Sequence, residues 1–228
     1  MRSAEGQSLR HLAGTELGQS IHRTRLDLTI PRRTFLSLAV PALDVLLGGG
    51  IPCGAITEIF GKASTGRTTL AHALITTVTR AGEFAAWVDL PNSFDPDRAS
   101  PRVLWIAPRD GVTAVQAAEH VLDVGGFRAV VLDLDDCGSR HILTAATWLR
   151  IARLAARRDA AIVVLSAAHV TGAFATLALE TCGRRRLFAG RSGPFPVFEG
   201  VASAVHLRRH RHGPLSLSPV DVFAAVEL

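Results

Sequence analysis

The residues with the clearest chemistry form one short run: Gly61-Lys62-Ala63-Ser64-Thr65-Gly66-Arg67-Thr68-Thr69. Two glycines separated by four residues, then a cation and a hydroxyl, have the spacing of a loop whose backbone N–H groups close around phosphate oxygens. In such a loop the residue after the second glycine is a lysine reaching the outer phosphates, and the next hydroxyl binds Mg²⁺. Here that lysine position holds Arg67, which keeps the charge in a bulkier, planar head. Lys62 stands at the wrong place in the loop to substitute for it. The candidate nucleotide-binding residues are Gly61, Ser64, Thr65, Gly66, Arg67, Thr68 and Thr69, and the candidate Mg²⁺ ligands are Thr68 and Asp133. The competing reading is a glycine-bearing turn that merely joins a strand to a helix.

Such a loop works only between a strand and a helix, and the flanking sequence supplies both. An apolar run, Ala55 to Phe60, precedes it, and apolar residues at three and four spacing over Thr68 to Ala81 follow it. Further strands are expected at Phe84 to Leu90, Val103 to Ala107, Ala129 to Leu134, Ala161 to Ser166 and Ala202 to Arg208, with helices at Val112 to Val124 and Arg140 to Arg157. Continuous apolar strands alternating with helices are the signature of a mostly parallel sheet covered on both faces. The expected architecture is α/β: residues 34–228 form one core domain, preceded by an arm or accessory helix over residues 1–33. Gly183 to Arg186 and Gly190 to Pro196 read as a loop before the last sheet strand, and the mixed tail Leu215 to Leu228 reads as an added strand and short helix or as a docking segment.

Composition narrows the classes. A chain of 228 residues with 48% hydrophobic residues can bury a core, which excludes a disordered protein. No apolar stretch reaches the length of about eighteen residues that a membrane span needs, and MRSAEGQSLRHLAG lacks the apolar stretch of a secretory leader. A soluble, cytoplasmic protein with no membrane partner is expected. Cys53, Cys137 and Cys182 lie far apart, which suggests neither a disulfide framework nor a cysteine zinc site. The net charge of +5 favours anionic partners, although all basic residues but Lys62 are arginine, a bias that weakens the argument for nucleic acid.

The stretch Leu43-Asp44-Val45-Leu46-Leu47-Gly48-Gly49-Gly50-Ile51-Pro52-Cys53-Gly54, followed by Glu58-Ile59-Phe60-Gly61, resembles the entrance to the phosphate loop in the RecA family. Trp87 to Pro96 is similar to the family segment in which an apolar strand ends in Asp-x-Glu and then reaches Asp-Pro, and Val130 to Asp133 resembles its Walker B strand. The resemblance covers about residues 35 to 210 and implies a RecA-like P-loop core. It also implies losses. The family glutamate that activates the attacking water falls at Pro91, and the γ-phosphate-sensing Asn-Gln pair falls at Ser166 and Ala167. Only Thr68 and Asp133 remain to hold Mg²⁺, so ATP with Mg²⁺ is expected to bind weakly or not at all. Arg184, Arg185, Arg186 and Arg191 fall where the family carries its second DNA loop and are the candidate DNA contacts.

A short RecA-like chain with these losses resembles the ImuA group, accessory proteins of damage-induced mutagenesis. That resemblance implies partners: an ImuB-like Y-family protein, an error-prone polymerase subunit, RecA and DNA, with self-association through the N-terminal arm. The alternatives are an active RecA-type DNA-dependent ATPase of recombination or regulation, and a damage-induced inhibitor of cell division. His206, His210 and His212 invite a metal reading that the intervening arginines oppose, and Ser166, His169 and Glu180 lack the G-x-S-x-G elbow of a hydrolase.

Overall fold

The computed structural model describes residues 34–135, 143–189, 197–213 and 218–225. The N-terminal arm over 1–33, Asp136, Cys137, Arg140 and Arg191 therefore lie outside the described residues. The chain enters through two short strands, β1 (Phe35–Leu36) and β2 (Ile51–Pro52), joined by helix α1 (Pro41–Leu46) and paired antiparallel. Asp44 fixes this entrance by accepting from the Leu38 amide at 2.8 Å and from Ser37 Oγ at 2.6 Å.

Then come β3 (Ile56–Gly61), α2 (Arg67–Arg80), β4 (Phe84–Asp89), β5 (Val103–Ile106), α3 (Gly111–Val124), β6 (Phe127–Asp135), α4 (Ala145–Arg158) and β7 (Ala161–Ser166). The described chain ends with β8 (Leu177–Ala189), β9 (Val197–His210) and β10 (Val220–Ala225). Eight strands make one sheet in the order β10-β9-β8-β3-β7-β6-β4-β5. The strands from β8 to β5 run parallel, and β9 and β10 extend the sheet antiparallel. The α/β, mostly parallel architecture expected from the sequence is the one observed.

Every residue of β7 is buried, because the sheet is covered on both faces. One core holds Ile59, Leu70, Leu74, Trp87 and Val163; the other holds Ile56, Val88, Leu122, Trp148 and Val164. Alternation along each strand thus feeds two cores at once. Helix α3 starts at a capping box between Asp110 and Thr113, and α4 starts with the Thr144 hydroxyl accepting from the Thr147 amide. Helix α2 differs: its N-cap is Gly66 at φ 101°, with no side-chain cap.

Two expectations need correction. Gly183 to Arg186 do not form a loop, since β8 runs through them, and the register pairs Arg185 with Ala202 and Arg186 with Val201. Gly183, at φ 66°, is absorbed in a register shift between Cys182 and Arg185, so the glycine bends the strand instead of ending it. The last long strand is also wider than Ala202 to Arg208, because pairing with β8 holds it from Val197 to His210. In the tail, Val220–Ala225 adds a strand beside β9, which fits the added-strand reading.

Candidate functional site

Strand β3 delivers the chain into the loop at Gly61, whose φ is 154°. A Cβ placed there would lie 2.2 Å from the Thr181 carbonyl oxygen and 2.5 Å from its Oγ1, so only glycine passes this crossing with β8. Ser64 takes a left-handed φ of 61°, and Gly66 takes 101°. Thr65 fastens the loop: its Oγ1 donates to the Lys62 carbonyl at 2.7 Å and lies 2.7 Å from Thr181 Oγ1. A glycine-bearing loop between a strand and a helix N-terminus is the arrangement that accepts an anion through backbone N–H groups. Arg67 is buried in the first turn of α2, Thr68 is half-buried, and Lys62, Ser64 and Thr69 are exposed. The candidate nucleotide residues thus come together as one cradle, which fits a phosphate group.

Strands β4 and β6 end beside each other, with Asp89 and Asp133 as register partners. Both side chains are buried. Asp89 accepts from the amides of Ser93 (3.2 Å) and Phe94 (2.9 Å) and from Trp105 Nε1 (3.1 Å), so it shapes the turn that carries Pro91. Pro91 itself is exposed, with no group able to take a proton. Asp133 on β6 and Thr68 on α2 each have the chemistry of a Mg²⁺ ligand. Among the described residues no cluster of three or more His, Cys, Asp or Glu is placed to hold a metal by itself.

In the sequence Glu58 figures only as part of the entrance to the loop, with no role of its own. It sits fully buried in the middle of β3 and accepts from Ser166 Oγ (3.3 Å), the Val170 amide (2.6 Å), the Thr171 amide (3.3 Å) and the Thr171 hydroxyl, and it contacts His169 Nδ1 (2.5 Å). The available signal was a single charged residue inside a strand otherwise buried on both faces. A cavity of about 440 Å³ is lined by Gly61, Lys62 and Thr65 of the phosphate loop, His169 of the segment after β7, and Glu180 and Thr181 of β8. Ala167 also borders it, and Ser166 is engaged with Glu58.

Of the candidate DNA contacts, Arg191 lies outside the described residues. Arg184, Arg185 and Arg186 lie on β8, with Arg185 exposed, beyond the Glu180–Arg208 ion pair that ties β8 to β9. Arg209 and Arg211 are spent on the carbonyls of Ala175 (3.5 Å) and Ala173 (2.6 Å).

Residues 28–135 match the family model of the RecA N-terminal domain. The chain is 39% identical over 99 residues to Protein RecA of Rubrobacter xylanophilus, a match covering 40% of this chain and 29% of that protein. It is 38% identical over 99 residues to Protein RecA of Acidothermus cellulolyticus, with the same coverage of 40% and 29%. Against Protein RecA of Borreliella afzelii it is 40% identical over 98 residues, covering 40% of this chain and 27% of that protein. The chain therefore spans less than a third of the length of these relatives. Over residues 28–135, which carry the phosphate loop and both strand-end carboxylates, the chain is RecA-like.

Proposed function

We propose that this RecA-like chain is a catalytically degenerate accessory protein of damage-induced translesion synthesis, of the ImuA kind, which acts by binding partners. The observation that carries the reading is the turn after β4. Asp89 is committed to holding that turn, and Pro91 on its exposed rim has no group to activate water. The cradle still fits phosphate. Thr68 and Asp133 would hold Mg²⁺, which neutralises phosphate charge when bound, and nucleotide binding is weak because Arg67 replaces the lysine.

The partners in this reading are an ImuB-like Y-family protein, an error-prone polymerase subunit and RecA. DNA meets the arginines of β8 together with Arg191, and residues 1–33 carry self-association. The setting is cytoplasmic. The deciding experiment is steady-state ATP turnover with and without single-stranded DNA. Turnover far below about 1 per second is expected, unchanged by Asp133→Ala and not rescued by Pro91→Glu alone. A DNA-stimulated rate at that level, lost in Asp133→Ala, would establish the second reading, an active DNA-dependent ATPase, which the intact cradle and buried Asp133 favour. For the adhesive role, deleting residues 1–30 should abolish partner capture and damage-induced mutagenesis, whereas Arg67→Ala should leave both nearly intact.

A further inference from the structure

A hydroxyl group carries a single hydrogen, and that count fixes the direction of a buried chain of contacts at the phosphate loop. Thr65 Oγ1 spends its hydrogen on the Lys62 carbonyl at 2.7 Å. Thr181 Oγ1 lies 2.7 Å from Thr65 Oγ1, and two oxygens at that separation need a hydrogen between them. Thr181 must supply it. The Phe60 carbonyl, 3.3 Å from Thr181 Oγ1, is the longer and weaker alternative acceptor. The order is therefore Thr181 to Thr65 to Lys62, running from β8 into the loop, with Thr181 and Thr65 both buried. In such a chain each bond polarises and strengthens the next.

The loop needs that support. Ser64, inside the turn that the chain closes, has a left-handed φ of 61°, a backbone conformation that an L side chain adopts only at a cost. Lys62 and Ser64 are exposed, so their own packing does not hold them. Strands β8 and β9 also confine the loop at its two glycines. The Thr181 backbone closes on Gly61, and Ser203 of β9 stands where a Cβ on Gly66 would lie 3.3 Å from its Oγ. Ser203 is also the single residue opposite Gly183 and Arg184, where the register between β8 and β9 shifts. The two strands thus form a template that shapes the loop before any ligand arrives.

We propose that Thr181 is a positioning residue of the phosphate loop: its hydroxyl, acting through Thr65, holds the Lys62–Thr65 turn in the shape that receives a phosphate group, without touching that group itself. The inference rests on the reading of the loop as nucleotide-binding. The hold comes from a residue 116 positions away in the chain, and it reduces the ordering of the loop that is left for binding to accomplish.

The test is calorimetric titration of the full chain with Mg-ADP, for the wild type, Thr181→Val, Thr181→Ser, Thr65→Val and the double variant Thr65→Val with Thr181→Val. The Cα and Cβ chemical shifts of Ser64, recorded without ligand, report its left-handed backbone. Thr181→Val removes the hydroxyl at nearly constant shape and should weaken Mg-ADP about tenfold, the effect of one buried hydrogen bond. Thr181→Ser keeps the donor and should stay within about twofold of the wild type. In the Thr65→Val background Thr181→Val should weaken binding no further, because the chain of hydroxyls is already cut. The Ser64 shifts should leave the left-handed range in Thr181→Val and keep it in Thr181→Ser. Thr181→Ala serves the same comparison if Thr181→Val does not fold. Unchanged affinity in Thr181→Val, equal losses in Thr181→Val and Thr181→Ser, or a full further loss in the Thr65→Val background overturns the proposal while leaving the cradle reading intact. A wild type that takes no Mg-ADP at millimolar concentration defeats the cradle reading, and the proposal with it.

Discussion

Asp89 and Asp133 are register partners on adjacent parallel strands, and both are buried. The Asp89 carboxylate is surrounded by donors from its own turn and from Trp105, while the strand end at Asp133 also receives the Leu90 amide at its backbone carbonyl, 3.1 Å away. Asp89→Ala should therefore leave two amides and an indole N–H without their acceptor and cost about 3 kcal/mol in urea unfolding. Asp133→Ala should act on Mg²⁺-dependent binding.

Gly61→Ala should destabilise the fold with no nucleotide present, by about 2 kcal/mol or more, because the new methyl group meets the Thr181 backbone. Thermal unfolding measures this. Loss of nucleotide affinity at unchanged stability would show that the crossing of β3 and β8 is looser than its geometry indicates.

His72 supplies a pH dependence. Its ring stacks on Phe94 at 5.3 Å and leans on Trp87 at 4.6 Å; this desolvation holds its pKa below the ordinary value of 6.5, although the Asp89 charge pulls the other way. As pH falls below about 6.5 the unfolded chain takes up the proton first, so stability declines through that window and is recovered as pH rises. His72→Phe should remove this part of the slope in unfolding free energy measured between pH 7 and pH 5.

Glu58→Gln keeps the shape but reduces the acceptor strength at the centre of the 166–171 segment. Amide hydrogen exchange at Val170 and Thr171 should accelerate by about tenfold or more, with the amides of β7 much less affected. Uniform acceleration across the sheet would mean that Glu58 supports the whole core and not that segment.

The central strands were legible because burial on both faces leaves unbroken apolar runs; Ala161 to Ser166 is the same in sequence and structure. The loop residues were legible because their glycines are required by backbone geometry at Gly61 and Gly66. β8 was not, since Gly183 and three successive arginines carry the composition of a turn while long-range pairing with β9 keeps them extended. Glu58 was hidden for a related reason: its partners lie more than a hundred residues away, and local pattern carries no trace of them.

Lys62, exposed at the lip of the phosphate loop, is the only lysine among these 228 residues. A lysine-specific endoprotease thus has one place to cut this sequence, and that place is the loop. A phosphate chain seated against Gly61 and Thr65 would cover the scissile bond, so the rate of this single cleavage is a direct gauge of occupancy, and side-chain acylation by amine reagents carries the same information at one address.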